Sequence, residues 1–506
     1  MRIKAHRWAA VCIAASFAQA ARAQTVEPLS AIEWLNKVPT VTIEIEPPET
    51  PVTSGGNTPK ISVTTLRTEG RDAVGLLSSA VTGLPSSLWQ ESRGQVLADL
   101  IAIQPQHALP AMQALLYTLL LAEANPPIDS DGNDTLLLAR IDKLFQLGAL
   151  EQTNALLNRS GTDTPELFKR WFDVTLLIGE ERNACATLSK TAHLAPSYAA
   201  RVFCAARAGD WNKAAVTLNS ANFLGLLSEE EDALLLRFLD PELFAEEPIL
   251  VTPSAPDPLK FRLYEAIGEP QPTTTLPLQY AHSDLRDTVG WKAQLEAAER
   301  LARVGALPEN RLLGIYAASK PAASGMIWDR VDALQKFDAA IASQDAEKVS
   351  ARLPSAWAAM QASRLEVPFA RLYAEPLMNM SFSGVSQTLA RKIMLLSPSY
   401  ELAAKRGPRD YLAGLALGLP PRRGPDLTSQ AISDAFHGAG VPQSLSNNLA
   451  RGHLGEVILQ AMTLFSQGAA GDLPALTSAL ATFRAVGLED TARQAALQIL
   501  LLERGF

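Results

Sequence analysis

The chain predicts an all-α fold: a right-handed superhelix of antiparallel helical hairpins, an α-solenoid, preceded by a short extended N-terminal segment. Three observations predict it. Gly148, Gly179 and Gly209 recur at intervals of 31 and 30 residues, each between two apolar runs. Apolar residues make up 47% of the chain and aromatic ones only 6%, which suits Ala/Leu-rich helices packed closely on each other. From Leu84 onward, most stretches place apolar residues at helical rather than strand spacing.

The leader comes first. Arg2, Lys4 and Arg7 precede a short apolar run from Trp8 to Ala18, and Ala21-Arg22-Ala23 supplies small residues at the positions a signal peptidase reads. Residues 1–23 are therefore expected to be a secretory signal peptide, cut near Ala23. The run is too short to span a bilayer. Ala9-Ala10-Val11 before Cys12 lacks the Leu of a lipoprotein leader. An Ala-rich leader fits bacterial export, so the expected location is the periplasm, with no transmembrane anchor after cleavage.

Residues 24–60 read as a short amphipathic helix plus a Pro/Thr-rich linker. Ala31, Trp34, Leu35 and Val38 share one helical face. Ser30 and Glu33 have the spacing of a capping box, and Pro39 stops the segment. This face is a candidate docking helix, for a partner's groove or for the chain's own helical array. Pro47, Pro48, Pro51 and Pro59 then make a linker that reaches up to about 65 Å if extended. Val41, Ile43 and Ile45 alternate with polar residues, as do Ile61 and Val63, and either stretch fits an edge strand.

Residues 61–246 are expected to hold the N-terminal helical repeats. Trp89 to Ile103, Pro110 to Glu123, Thr135 to Leu147, Leu150 to Asn158 and Pro165 to Ile178 have helical spacing. Pro110 and Pro165 suit first-turn positions, and Asp134 and Thr164 suit N-caps. Gly148, Gly179 and Gly209 each close a helix, because glycine tolerates the left-handed conformation found there. Residues 247–280 are rich in proline and read as a boundary or a long packed loop, with one helix over Leu259 to Ile267. Residues 281–506 are expected to hold the C-terminal repeats. Their helices include Gly325 to Ile341, Phe369 to Met378, Ser386 to Leu395 and Tyr411 to Ala416. Pro354 marks a fresh start after Ala346 to Leu353, or a kink in one longer helix.

Cys185 and Cys204 are the two cysteines beyond the leader. They fall on the expected helices Arg182 to Thr191 and Ser197 to Ala208, nine to ten residues either side of the connection at His193 to Pro196. Equal distances put both at one height in an antiparallel hairpin, where a disulfide fits. The chain-entropy model gives such a bridge roughly 3 kcal/mol.

Charge argues against nucleic-acid or anionic-lipid partners. Without Arg2, Lys4, Arg7 and Arg22, the 45 basic residues fall to 41 against 53 acidic ones, a net charge of −12. No local Lys/Arg cluster in the sequence reverses this. His107, His193, His282, His437 and His453 lack zinc-ligand spacing and read as surface or loop residues. Asp129 to Asp134 resembles part of a calcium loop, but its glycine sits at the wrong position, so an acidic interhelical turn is expected. No Gly-x-Ser-x-Gly elbow or phosphate-binding glycine loop occurs. No catalytic residue, metal or cofactor is expected.

Two resemblances bear on function. The hairpins over 134–223 resemble tetratricopeptide or Sel1-like repeats in helix length, turn glycine and Ala/Leu pattern, without the Trp-x-x-Leu-Gly-x-x-Tyr motif. That resemblance implies binding of proteins or peptides along a concave face, here a non-catalytic scaffold for other envelope proteins. Gln90-Glu91-Ser92 resembles the Glu-Ser pair of lytic transglycosylases, which also carry a helical superhelix, and implies the alternative of a cell-wall-acting enzyme. No Gly-Leu-Met-Gln follows it, and Glu91 is expected inside an ordinary amphipathic helix.

Overall fold

The computed structural model describes residues 70–502. The leader, the segment bearing Ala31, Trp34, Leu35 and Val38, the linker and the two alternating stretches lie outside the described residues. All regular structure among the described residues is helical, apart from an isolated parallel bridge between Leu77 and Ala122. No helix among them is long and apolar enough to cross a membrane.

The glycine-marked helices form where the sequence places them. Pro165–Ile178 begins on Thr164, whose hydroxyl accepts from the Leu167 N–H, and ends on Gly179. Tyr198–Arg207 begins on Ser197 and Trp211–Phe223 on Asp210, each with its side chain capping the first turn. Gly148, Gly179 and Gly209 take φ of +70°, +81° and +83°. Glu229–Leu239 adds a full capping box between Ser228 and Glu231.

Successive helices pack on one another, and Leu, Ala and Phe side chains fill a continuous core. The two ends of the array also meet. Gly94–Ala102 packs on Leu454–Ala469, and Pro110–Leu121 packs on Glu489–Leu502. Gln104 donates to the Leu459 carbonyl at 3.2 Å, and the Ala111 N–H donates to Gln498 at 2.8 Å. A simple solenoid has contacts only between neighbouring repeats. Here the first helices and the last ones share a buried seam.

Three local elements differ from those the sequence predicts. The helix expected over Trp89 to Ile103 starts only at Gly94. The preceding residues turn, because the buried Trp89 ring packs against Gly455 and the Leu88 carbonyl accepts the Gly455 N–H at 3.1 Å. Asp134 does not cap its helix with its side chain. It takes φ of +56° and accepts the Arg71 N–H instead, while Asp72 accepts the Leu137 N–H at 2.9 Å and caps that helix from a distant segment. Of the two arrangements expected at Pro354, the structure has the one longer helix, Ala346–Ala362. Proline leaves the carbonyl four residues back without its helical donor. The Ser386 hydroxyl donates to that Ser350 carbonyl at 3.1 Å. His282, expected at the surface or in a loop, is buried in a run of 3-10 turns at Leu278–Leu285.

Residues 256–285 pack against the neighbouring helices, with a helix at Pro258–Ala266, whereas residues 247–255 are largely exposed. Phe261, Leu263, Tyr264, Leu276, Tyr280 and Ala281 are all buried. The segment bonds to the repeat turns themselves. His282 donates to the Gly148 carbonyl, and Ser283 donates to the Leu177 carbonyl at 3.1 Å. Proline suits this role, since a loop that satisfies few backbone donors by regular structure is better without them.

Candidate binding groove at the cysteine hairpin

The expected hairpin is present. Glu181–Lys190 carries Cys185, and Tyr198–Arg207 carries Cys204. Their Cα atoms are 5.0 Å apart and their sulfurs lie at disulfide distance. Both cysteines are nearly covered. The pair forms part of the floor of a groove of about 870 Å³. Leu188, Ala186 and Ala205 continue that floor, and the following helix, Trp211–Phe223, supplies Lys213 and Thr217.

The groove is cationic. Arg182, Arg201, Arg207 and Lys213 line it, against Glu181 and Asp210. Both acids are already engaged. Glu181 is buried and pairs with Arg207 at 2.7 Å and Arg262 at 3.4 Å. Burial opposes its ionisation, but its own backbone N–H and the two guanidiniums outweigh that and hold its carboxyl below the usual range. Asp210 accepts the Lys213 N–H as the helix cap. Arg182, Arg201 and Lys213 form no ion pair with any described residue; Arg201 lies over the Tyr198 ring, 5.3 Å from its centre.

This concentration of charge is not visible along the chain. The three residues stand on three helices, 19 and 12 positions apart. A scan for consecutive Lys and Arg passes over them, and only the hairpin brings them to one groove. The helix that supplies Lys213 also leaves Trp211 53% exposed, and its last residue, Phe223, is 90% exposed. Trp211 stands two residues before Lys213 on that helix, so an exposed aromatic ring lies within a turn of one of the groove's cations.

The other candidate residues are placed elsewhere. Glu91 is exposed on the turn before Gly94–Ala102, beside Gly452, rather than within a helix. It is not enclosed with a second acid. The Asp129 to Asp134 turn uses its carboxylates internally. Asp129 accepts the Gly94 N–H at 2.7 Å, Asp131 bonds Asn133, and Asp134 takes Arg71. Among the described residues no group of three His, Cys, Asp or Glu side chains has metal-binding geometry.

The strongest buried ionic cluster is complete in itself. Glu299 accepts the Tyr316 hydroxyl at 2.5 Å and both Arg330 donors at 2.8 Å, and Arg303 at 3.2 Å. It has no free valence for chemistry, and its role is to join Trp291–Arg303, Glu309–Ala317 and Ile327–Ala342.

No protein-family model matches this chain, and comparison with curated proteins and with solved structures returns no match.

Proposed function

We propose that the protein is a secreted, non-catalytic helical-repeat scaffold of the periplasm, and that its cysteine-hairpin groove takes an acidic segment of another envelope protein. One observation carries this reading: Arg182, Arg201 and Lys213 stand without ion-pair partners among the described residues over an apolar floor, in a chain whose formal net charge is −8. Charge supplies fast encounter and register, and the apolar floor with Trp211 nearby supplies affinity. A cysteine pair at disulfide distance supports an oxidising compartment. The right-handed superhelix of hairpins belongs to this reading as the frame that carries the groove. The stripe Ala31, Trp34, Leu35 and Val38 is its second contact, made with the partner or with this chain.

Affinity capture from periplasmic extract tests the reading. The wild type should retain a partner that carries an acidic segment and releases it above about 0.5 M salt. The variant Arg182→Glu/Arg201→Glu/Lys213→Glu should lose that partner while keeping its fold. Identical partner sets for the two proteins would overturn the groove. Deleting residues 24–60 measures the share of the N-terminal stripe separately.

A further inference from the structure

A second cavity shares no lining residue with the cysteine-hairpin groove. It has a volume of about 240 Å³ and lies between Pro165–Ile178, the start of Tyr198–Arg207, Glu229–Leu239 and Pro258–Ala266. Its wall is apolar, with Phe172, Leu234, Leu235, Leu259 and Leu263 all buried. Most of its polar groups have internal partners. Asp257 accepts the Lys260 N–H at 2.8 Å. The Lys260 ammonium lies 3.9 Å from Glu231, and the Ser197 hydroxyl accepts the Ala200 N–H.

Asp173 and Lys169, one turn apart on Pro165–Ile178, are the two exceptions, and Asp173 is the one that offers an acceptor. It lines the cavity half-buried, in the middle of Pro165–Ile178, and makes no hydrogen bond or ion pair with any described residue. A carboxylate that no protein donor meets presents an unshared acceptor to a ligand's ammonium group.

We propose that this cavity binds a small primary ammonium ion with a short apolar body, its charged end on Asp173 and its body against Phe172, Leu234 and Leu263. The volume suits a ligand of this size. Asp257 and Asp142 add to the negative field at Asp173, while Lys169 and Arg170 stand against it. Burial raises the Asp173 carboxyl to about 7, with Asp257 adding to the rise and Lys169 opposing it. An ammonium ion therefore competes with a proton at this site, and binding should tighten as pH rises through neutrality.

Calorimetric titration of the intact protein with 3-methylbutylamine tests this, with 3-methylbutanol as the uncharged probe of matching size. The amine should bind saturably at one site, about tenfold more tightly near pH 8 than near pH 6. The alcohol should bind at least about tenfold more weakly at the higher pH, and Asp173→Asn, a near-isosteric change, should reduce amine binding to the level of the alcohol. The proposal is overturned by the absence of saturable binding up to about 10 mM amine. Equal binding of the two probes, or undiminished amine binding in Asp173→Asn, overturns it as well. The alcohol comparison needs no variant and stands whatever the substitution does to folding.

Discussion

His282 donates its Nε2 proton to the carbonyl oxygen of Gly148 across 2.5 Å in the core, over a separation of 134 residues. The first of the three helix-ending glycines is thereby fixed by the proline-rich segment. Burial favours the neutral ring and pushes the His282 pKa down to about 4, against the opposing effects of the Gly148 bond, which a charged ring also donates, and of Glu151. Unfolded histidine takes up its proton near 6.5. Between about 6.5 and 4 the unfolded state therefore binds more protons, and stability falls as pH falls through that window. The loss is on the order of 3 kcal/mol. Urea unfolding near pH 7 and near pH 4.5 should show it, and His282→Gln should be less stable at neutral pH but lack this part of the acid sensitivity.

Gly148 and Gly209 share a left-handed backbone but not their surroundings. A Cβ on Gly148 would lie 2.8 Å from Leu301 Cδ2 and 3.2 Å from Leu278 Cγ, whereas one on Gly209 would meet nothing within 4 Å. Gly209→Ala should cost about 1 kcal/mol, the conformational penalty alone. Gly148→Ala should cost about 2–4 kcal/mol, because overpacking adds to it. Denaturant midpoints of the two variants make the comparison.

Asp173 gives the opposite pH dependence to His282. Its carboxyl is raised to about 7 in the folded protein, so the folded state binds more protons between about 4 and 7. Its contribution to stability is present at low pH and is lost as pH rises through that range. Asp173→Asn should stabilise the protein near pH 8 by about 1–2 kcal/mol, after allowance for the exposed part of the side chain, and should be nearly neutral near pH 4. Thermal melts at the two pH values decide it.

The Cys185–Cys204 pair should be oxidised in the folded protein. Intact mass after alkylation without reductant should show no modified thiol. Cys185→Ser/Cys204→Ser should destabilise the fold by roughly 3 kcal/mol. Two freely alkylated thiols would contradict the bridge.

Local signals carried the helices. Pro165–Ile178 and Tyr411–Ala416 have the bounds that their capping residues and apolar spacing predict. The cysteine pair was legible because equal distances from a turn fix height in a hairpin. What escaped the sequence depends on distant partners. Asp72 caps the helix that follows Asp134, Ser386 serves the carbonyl that Pro354 leaves open, and Trp89 bends its own segment by packing on Gly455. The packing of residues 256–285 was one of two arrangements the sequence left open, because proline content shows that a segment is irregular, not whether it is covered. The cationic groove was hidden because Arg182, Arg201 and Lys213 meet only when three helices pack.

That groove is the central claim, and a direct binding titration tests it. A fluorescent peptide alternating Glu with Leu, followed by anisotropy at low and high salt, should bind the wild type saturably and lose affinity as salt rises. Arg182→Glu/Arg201→Glu/Lys213→Glu should weaken it by at least about tenfold, and a Lys/Leu peptide of equal length should not bind. Equal binding of the acidic and basic peptides, or an unchanged affinity in the charge-reversed variant, would contradict the account.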